Sequence, residues 1–213
     1  MMKRIYHNVV LGENAKIGEY VIIGEPPKGY EDDELKTIIG DNCVIRSHTV
    51  IYAGNKIGNH FQTGHGVNIR EFNEVGDNVS IGTHTIIEHH VKIENNVRIH
   101  SNVFIPGYSH LKTGCWVGPC VTLTNVLHPL CKKAKECVKG ATIGEKTKIG
   151  ANVTILPDIT IGKNCLIGAG SVVTKDLLED NCVYAGVPAR KIKSIKELTC
   201  PYHLIERPYE TEE

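Results

Sequence analysis

The sequence IIEHHVKIENNVRIHSNVFIP (Ile86–Pro106) places an aliphatic residue at every sixth position. The same spacing runs from residue 39 to residue 123, where fourteen of fifteen positions six apart are Ile, Val or Leu. It also occurs over residues 5–23 and 143–173. A period of six matches neither the helical period of about 3.6 nor the two-residue alternation of a strand alone. It indicates an internal repeat of a short strand and a turn.

Two residues of each six-residue unit are expected to point inward. The first is the aliphatic residue, and the second is the small or β-branched residue at the fifth position of the unit. Turn pairs such as Asp77-Asn78 and Asn95-Asn96 accept turn and left-handed dihedrals at low cost. Three units make one coil of a parallel β-solenoid, and stacked coils bury one continuous core. The sequence therefore predicts an all-β solenoid.

The repeat resembles that of the hexapeptide-repeat acyltransferases over about residues 5–192, and looks closest to the sugar-nucleotide N-acetyltransferases. GAGSVVTKD (Gly168–Asp176) followed by VYAGVPARKI (Val183–Ile192) resembles the way such enzymes close the solenoid. The resemblance implies a left-handed parallel β-helix, a homotrimer with active sites between subunits, and acetyl-CoA as the acyl donor without a metal.

The spacing breaks at two places and ends near residue 192. We expect a β-helix domain over residues 1–192, with loop insertions at 25–36 and 126–139. Residues 193–213 are expected to form a short C-terminal helix and a polar tail. Loops that project from a solenoid corner often carry function.

Composition excludes several classes of partner. The chain has 24 basic and 24 acidic residues, so no overall charge attracts nucleic acid or a membrane surface. No apolar run is long enough to cross a membrane, and the N-terminal sequence lacks the apolar run of a signal peptide. Eight cysteines in such a chain are expected to be reduced thiols in the cytoplasm.

Residues eighteen apart should lie above one another on successive coils. One such column contains Glu71, His89, Gly107 and Asn125, and its neighbour contains Gly54, Phe72, His90 and Tyr108. Glu71 would hold the His89 ring and stabilise its protonated form, as a general base requires. Gly107 would leave room for an extended ligand arm. This corner is therefore the candidate active site.

The resemblance assigns further roles. In hexapeptide acyltransferases the catalytic histidine occupies the third position of its unit, which is where His89 lies, and an acidic residue usually follows it, whereas here His90 follows. We take His89 and Glu71 as catalytic candidates, although His89 could instead bind substrate or be structural, and some relatives are thought to use no protein base. The candidates for substrate binding are Asn125, His90, Tyr108, His65 and His84. The candidates for coenzyme A binding are Gly168, Ala169, Gly170, Lys175, Arg190 and Lys191.

The preferred function is an acetyl-CoA-dependent N-acetyltransferase acting on a UDP- or dTDP-linked amino sugar. One alternative is an O-acetyltransferase acting on a small hydroxyl acceptor. A less favoured alternative is a zinc enzyme like the γ-class carbonic anhydrases, with His48, His84 and His89 as ligands, although the positions of these histidines within their units differ from that family's. The sequence does not decide the nucleotide, the position of the amine or the length of the acyl chain.

Overall fold

The computed structural model describes residues 3–209, and in them short parallel strands alternate with tight turns. The twenty-five strands of the solenoid in these residues are β1 (Arg4–Ile5), β2 (Val9–Leu11), β3 (Lys16–Ile17), β4 (Ile22–Glu25), β5 (Thr37–Ile39), β6 (Val44–Ile45), β7 (Val50–Tyr52), β8 (Lys56–Ile57), β9 (Gln62–Thr63), β10 (Asn68–Ile69), β11 (Glu74–Val75), β12 (Ser80–Ile81), β13 (Ile86–Ile87), β14 (Lys92–Ile93), β15 (Arg98–Ile99), β16 (Phe104–Ile105), β17 (His110–Leu111), β18 (Trp116–Val117), β19 (Thr122–Leu123), β20 (Thr142–Ile143), β21 (Lys148–Ile149), β22 (Thr154–Ile155), β23 (Thr160–Ile161), β24 (Leu166–Ile167) and β25 (Val172–Val173).

Every third strand pairs in parallel, which gives the solenoid three sides. Sheet A runs β1-β4-β7-β10-β13-β16-β19-β22-β25, sheet B runs β2-β5-β8-β11-β14-β17-β20-β23, and sheet C begins at β3 and runs through β6, β9, β12, β15, β18 and β21 to β24. Ile69 lies opposite Ile87, and Val75 lies opposite Ile93, so the register between coils is eighteen residues. The architecture is the parallel β-solenoid predicted by the six-residue spacing, and it agrees with the left-handed β-helix that the family resemblance implies.

The core is one continuous stack of the two inward layers. Ile87, Ile93 and Ile105 are each at most 1% exposed. The fifth-position residues are buried as expected, including Cys43, Val97, Val121 and Cys165. Ile5 is 42% exposed and lies in β1, the edge strand of sheet A among the described residues.

The fourth position of most units has a positive φ, because the chain must turn sharply between sheets. Asparagine and glycine adopt this left-handed conformation most easily, whereas large side chains rarely do. Non-glycine residues in this conformation include Asn42, His48, His60, Phe72, Asn78, His84, His90, Asn96, Asn102, Tyr108, Cys120, Lys146, Asn152 and Asn164.

The C-terminal end differs from the sequence expectation. Strand β26 (Cys182–Gly186) pairs in parallel with β24, and β27 (Ala189–Ser194) returns antiparallel to β26, so a hairpin closes sheet C. The domain boundary expected at residue 192 falls inside β27. The expected helix is only a three-residue 3₁₀ turn (Ile195–Glu197), capped by Ser194. The last four residues of the expected tail, 210–213, lie outside the described residues.

Among residues 3–209, no helix combines the length and the apolar character needed to traverse a membrane.

Cysteine alkylation provides a test of the inward layers. The Cys115 side chain is 1% exposed, and burial raises the pKa of its thiol to about 12. Cys131 and Cys137, in the second insertion, are exposed. Because the thiolate is the reactive form, we expect iodoacetamide to modify Cys131 and Cys137 in the native protein but Cys115 only after unfolding. Peptide mass spectrometry measures this, and equal native labelling of Cys115 would contradict the buried placement.

Candidate active site

Both insertions project from the same corner of the solenoid. Loop 26–36 follows β4, and loop 124–141, which contains a short 3₁₀ helix (Ala134–Cys137), follows β19. Each loop carries the chain from sheet A to sheet B, so we call this edge the A–B corner. Counting the six-residue units in threes would have revealed the shared corner, because both insertions follow a sheet A strand. The two loops bracket four regular turns, at 53–55, 70–73, 88–91 and 106–109.

His89 lies in the A–B corner, partly buried, with Gly107 one coil below it. Its Nδ1 atom lies 3.0 Å from Nδ1 of His90. A Cβ atom at position 107 would lie 2.9 Å from Cε1 and 3.1 Å from Nδ1 of His89. The space left by Gly107 is therefore occupied by the His89 ring and not by a ligand arm, which corrects the sequence expectation.

Glu71 is bound to the guanidinium beside it. The side chain of Arg70 donates from Nε to Oε2 at 2.9 Å and from Nη2 to Oε1 at 3.0 Å. Burial is the largest single influence and acts to raise the pKa of the Glu71 carboxyl, but the Arg70 hydrogen bonds, a backbone hydrogen bond and the positive charge of Arg70 together outweigh it, so the pKa is lowered. The charge of His89 acts in the same direction more weakly. The hydrogen bonds of Glu71 thus go to Arg70 and not to His89, and its effect on His89 is that of a nearby negative charge.

His90 and Tyr108 were expected to bind substrate, and both are exposed. Their rings stack on each other with centroids 5.3 Å apart and planes 23° apart. Phe72 lies on the other side of His90 at 5.1 Å. We call Phe72, His90 and Tyr108 the aromatic ladder. Tyr30 of the first insertion contacts Phe72 edge-on at 5.8 Å, so this loop packs against the ladder.

Asn125 fixes the beginning of the second insertion. Its Nδ2 donates to the carbonyl of Gly107 at 3.2 Å, and its own carbonyl accepts from the backbone amide of Lys139 at 3.0 Å. The loop is therefore closed at its base on the coil that holds Gly107. A contact between Asn125 and substrate remains a prediction.

His65 and His84 do not lie near His89 in this chain. They lie on the corner between sheets C and A, which we call the C–A corner. Nδ1 of His65 lies 2.8 Å from Oγ of Ser47. The His84 ring covers Gly66, where a Cβ atom would lie 2.6 Å from its Cδ2.

The three histidines considered as zinc ligands lie on two different corners. His48 and His84 belong to the C–A corner, whereas His89 belongs to the A–B corner, and the His48 ring stacks on Tyr20 at 5.0 Å. Across residues 3–209, no three His, Cys, Asp or Glu side chains are grouped to hold a metal ion. These three histidines therefore do not form a site within one chain.

The glycine-rich segment expected to receive coenzyme A is only partly open. A Cβ atom at Gly168 would lie 3.0 Å from Cβ of Ala185, so the C-terminal hairpin covers this residue, and its small size serves packing. Ala169 and Gly170 are exposed. Gly170 has a φ of 70°, and a Cβ atom added there would meet no heavy atom within 4 Å beyond its chain neighbours, so a ligand could approach its backbone closely.

The expected phosphate-binding cations also differ from one another. Lys191 forms an ion pair with Glu179, which raises the pKa of the lysine. Arg190 is exposed and donates from Nη1 to the carbonyl of Ala189 at 2.9 Å. Lys175 is exposed. Arg190 and Lys175 are therefore better placed than Lys191 to meet an added anion.

A basic groove on sheet C was not anticipated from the sequence. It has a volume of about 340 Å³, and Arg46, Arg98, His65 and His100 contribute to its lining together with several hydroxyl side chains. Of the described residues that line it, none is acidic. Reading every eighteenth residue from Arg46 gives two glycines and then His100, and this pattern could have indicated the depression. A larger groove, about 600 Å³, lies on sheet B and is lined by both signs of charge.

Part of the six-residue repeat matches a known family model. A family model described as bacterial transferase hexapeptide (six repeats) matches residues 74–107 and 140–175. The matched segments coincide with six-residue repeats of the solenoid. The first matched segment contains the six-residue unit of His89 and His90, and the second insertion, residues 126–139, lies between the two segments.

Curated proteins are similar to this chain over part of its length. The galactoside O-acetyltransferase of Escherichia coli (strain K12) is 43% identical over 91 residues, which cover 41% of this chain and 44% of that protein. The bifunctional protein GlmU of Alkaliphilus oremlandii is 32% identical over 181 residues, which cover 85% of this chain and 36% of that protein. The chain thus spans less than half the length of these relatives.

Two solved structures share the fold of this chain. A UDP-N-acetylglucosamine acyltransferase from Francisella novicida matches with a TM-score of 0.66 and 19% identity, covering 89% of this chain and 70% of that one. The corresponding enzyme from Bacteroides fragilis matches with a TM-score of 0.57 and 18% identity, covering 89% and 72%. At these identities the likeness concerns the fold.

Proposed function

We propose that this protein is an acetyl-CoA-dependent N-acetyltransferase whose acceptor is the amino group of a nucleotide-linked sugar. The observation that carries the proposal is the position of His89, partly exposed on a corner bracketed by loops 26–36 and 124–141. The transferase hexapeptide repeats, and the similarity to a protein named a galactoside O-acetyltransferase, support acetyl transfer.

His89 is the proposed general base. The acceptor nitrogen attacks the thioester carbonyl, so a C–N bond forms and the C–S bond breaks. Nε2 of His89 removes the proton from the amine, and the proton then passes to the departing thiolate. Because Nδ1 of His89 is already within hydrogen-bonding distance of His90, Nε2 is the ring nitrogen available for this step. Backbone amides or Asn125 would stabilise the oxyanion.

Acetyl-CoA is the proposed donor, and the C-terminal coils are its proposed binding region. The open backbone at Gly170 and the adjacent Ala169 would receive the pantetheine arm, and Lys175 and Arg190 would meet the phosphates. All eight cysteines are free thiols, which supports the cytoplasmic location that we propose.

A homotrimer would complete the site. His65 and His84 lie on the C–A corner, so they could reach substrate at the A–B corner only from a neighbouring copy. The basic groove beside His65 would then hold the diphosphate of the acceptor, because guanidinium groups bind phosphate oxygens well. This groove is our reason for preferring a nucleotide-linked acceptor.

Replacing Arg98 tests the role of the groove. We expect Arg98→Ala to raise KM for the nucleotide sugar about tenfold or more, with a smaller change in kcat, because a charge-assisted hydrogen bond to phosphate is lost. Lys112→Ala removes an exposed cation from the turn that follows β17, outside the groove, and is the matched control. Equal KM values for the two variants would show that the groove does not bind the acceptor.

O-acetylation of a small sugar is the second candidate function, and the similarity to the galactoside O-acetyltransferase favours it. The deciding experiment measures release of coenzyme A from acetyl-CoA with UDP- and dTDP-linked amino sugars and with simple glycosides, followed by mass spectrometry of the products. An N-acetylated nucleotide sugar supports the preferred function, and an O-acetylated glycoside supports the alternative. If no acceptor releases coenzyme A, zinc content and hydration of carbon dioxide become the next measurements.

A further inference from the structure

His89 and His90 are adjacent histidines whose Nδ1 atoms lie 3.0 Å apart. For a hydrogen bond at this distance, one nitrogen must carry a proton and the other must accept it. A neutral histidine with its proton on Nδ1 has a free lone pair on Nε2, as a base acting through Nε2 requires. The direction of this hydrogen bond therefore decides which ring can act as the base.

The charges around the pair favour His89 as the ring that gains a second proton. The ionised carboxylate of Glu71, one coil above, acts on His89. Glu88 precedes His89 in the chain, and its carboxylate lies 3.8 Å from the guanidinium of Arg70. From the coil below, the facing titratable group is the hydroxyl of Tyr108. A negative charge favours a proton on the nearer ring, so we assign the Nδ1 proton of the 3.0 Å contact to His89.

The aromatic ladder fixes the plane of the His90 ring. His90 lies between Phe72, at 5.1 Å, and Tyr108, at 5.3 Å. Phe72 and Tyr108 have φ angles of 60° and 66°, a conformation that bulky residues rarely adopt. Such strain persists where the surroundings impose it, and it occurs often at functional sites. Large rings in these positions therefore point to a role beyond turning the chain.

We propose that His90 is a positioning residue for His89. Nδ1 of His90 accepts the Nδ1 proton of His89, and the ladder keeps that nitrogen facing His89. Nε2 of His89 is then free to remove the proton of the acceptor. When His89 becomes positively charged, the hydrogen bond to His90 becomes charge-assisted and stronger. This inference rests on the proposed function of His89 as the base.

Two substitutions at position 90 separate the hydrogen bond from the ring stacking. His90→Asn keeps an acceptor near the position of Nδ1 but loses the ring, whereas His90→Phe keeps a ring and loses the acceptor. Phe72 has this left-handed conformation on the same corner one coil above, and Asn78 has it at the fourth position of another unit, so the backbone accepts both residues. We expect His90→Phe to lower kcat about tenfold to hundredfold, as the loss of other orienting partners does. His90→Asn should retain most of the rate.

The pH dependence of kcat/KM gives a second test, because it should not change if His90 only fills space. Without its acceptor, protonated His89 loses a charge-assisted hydrogen bond, so the positively charged ring is less stable in His90→Phe. The acidic limb of the kcat/KM profile should therefore move to lower pH in His90→Phe and stay near that of the native protein in His90→Asn. Side-chain ¹⁵N NMR of the protein without substrate should place the proton of His89 on Nδ1, with this preference reduced in His90→Phe.

Other outcomes would overturn the inference. Equal activity loss in both variants, with no change in the acidic limb or in the His89 tautomer, would mean that His90 only fills space. Full activity in His90→Phe together with an inactive His89→Ala would overturn the inference and leave the base assignment intact. Full activity in His89→Ala would remove the base itself and the inference with it.

Discussion

Replacing His89 with alanine is expected to lower kcat/KM for acetyl transfer by about a hundredfold or more, because general-base catalysis contributes a factor of this size. The substitution removes the ring that fills the space above Gly107, while the coil keeps its buried residues Ile87 and Val91. The substitution should therefore lower kcat while changing the free energy of unfolding little. Release of coenzyme A against the best nucleotide sugar measures it.

The control for this variant is a histidine on a different corner. His60 lies between sheets B and C, is exposed and has a φ of 56°, which asparagine also accepts. His60→Asn should leave the rate close to that of the native protein. If His89→Ala keeps full activity, the amine must lose its proton without a protein base, and the acetyltransferase assignment survives without His89.

The second large effect concerns the core. Ile93→Ala should lower the free energy of unfolding by about 2–5 kcal/mol, since it leaves a cavity in a tightly packed interior. Ile93 is 1% exposed and lies opposite Val75 on the coil above and Leu111 on the coil below. The cavity would therefore lie between these two residues and weaken the packing of three successive coils. Denaturant unfolding at fixed protein concentration measures the change.

Lys92 is the neighbouring control because its side chain points outward from the same strand. Lys92→Ala should change the free energy of unfolding by about 0.5 kcal/mol or less. Similar losses from Ile93→Ala and Lys92→Ala would contradict the assignment of Ile93 to the inward layer.

The six-residue spacing was sufficient to predict which residues share a corner, because each coil without an insertion has a fixed length of eighteen residues. It correctly placed Glu71, His89 and Gly107 on successive coils. It could not predict which groups would bind each other, because Arg70 competes for the Glu71 carboxylate from the preceding residue. Only the side-chain conformations decide that competition.

The C-terminal hairpin was missed for another reason. The segment Val183–Ile192 was interpreted from its resemblance to the closing part of related solenoids, and no six-residue spacing marks its strands. Antiparallel pairing of β26 and β27 follows from how the chain reverses at residues 187–188, which the repeat does not determine. Gly168 was expected to bind coenzyme A, but the hairpin lies over this residue, so its small size serves packing.

Because loops 26–36 and 124–141 leave the same edge of the solenoid, the number of coils between them fixes the distance between the loops. The loops are five coil steps apart, which corresponds to about 24 Å at about 4.8 Å per step. His89 lies three steps from the first loop and two from the second. Insertion or deletion of repeats can change this distance only by whole coils. The longest ligand that spans the two loops therefore changes in steps of about 4.8 Å.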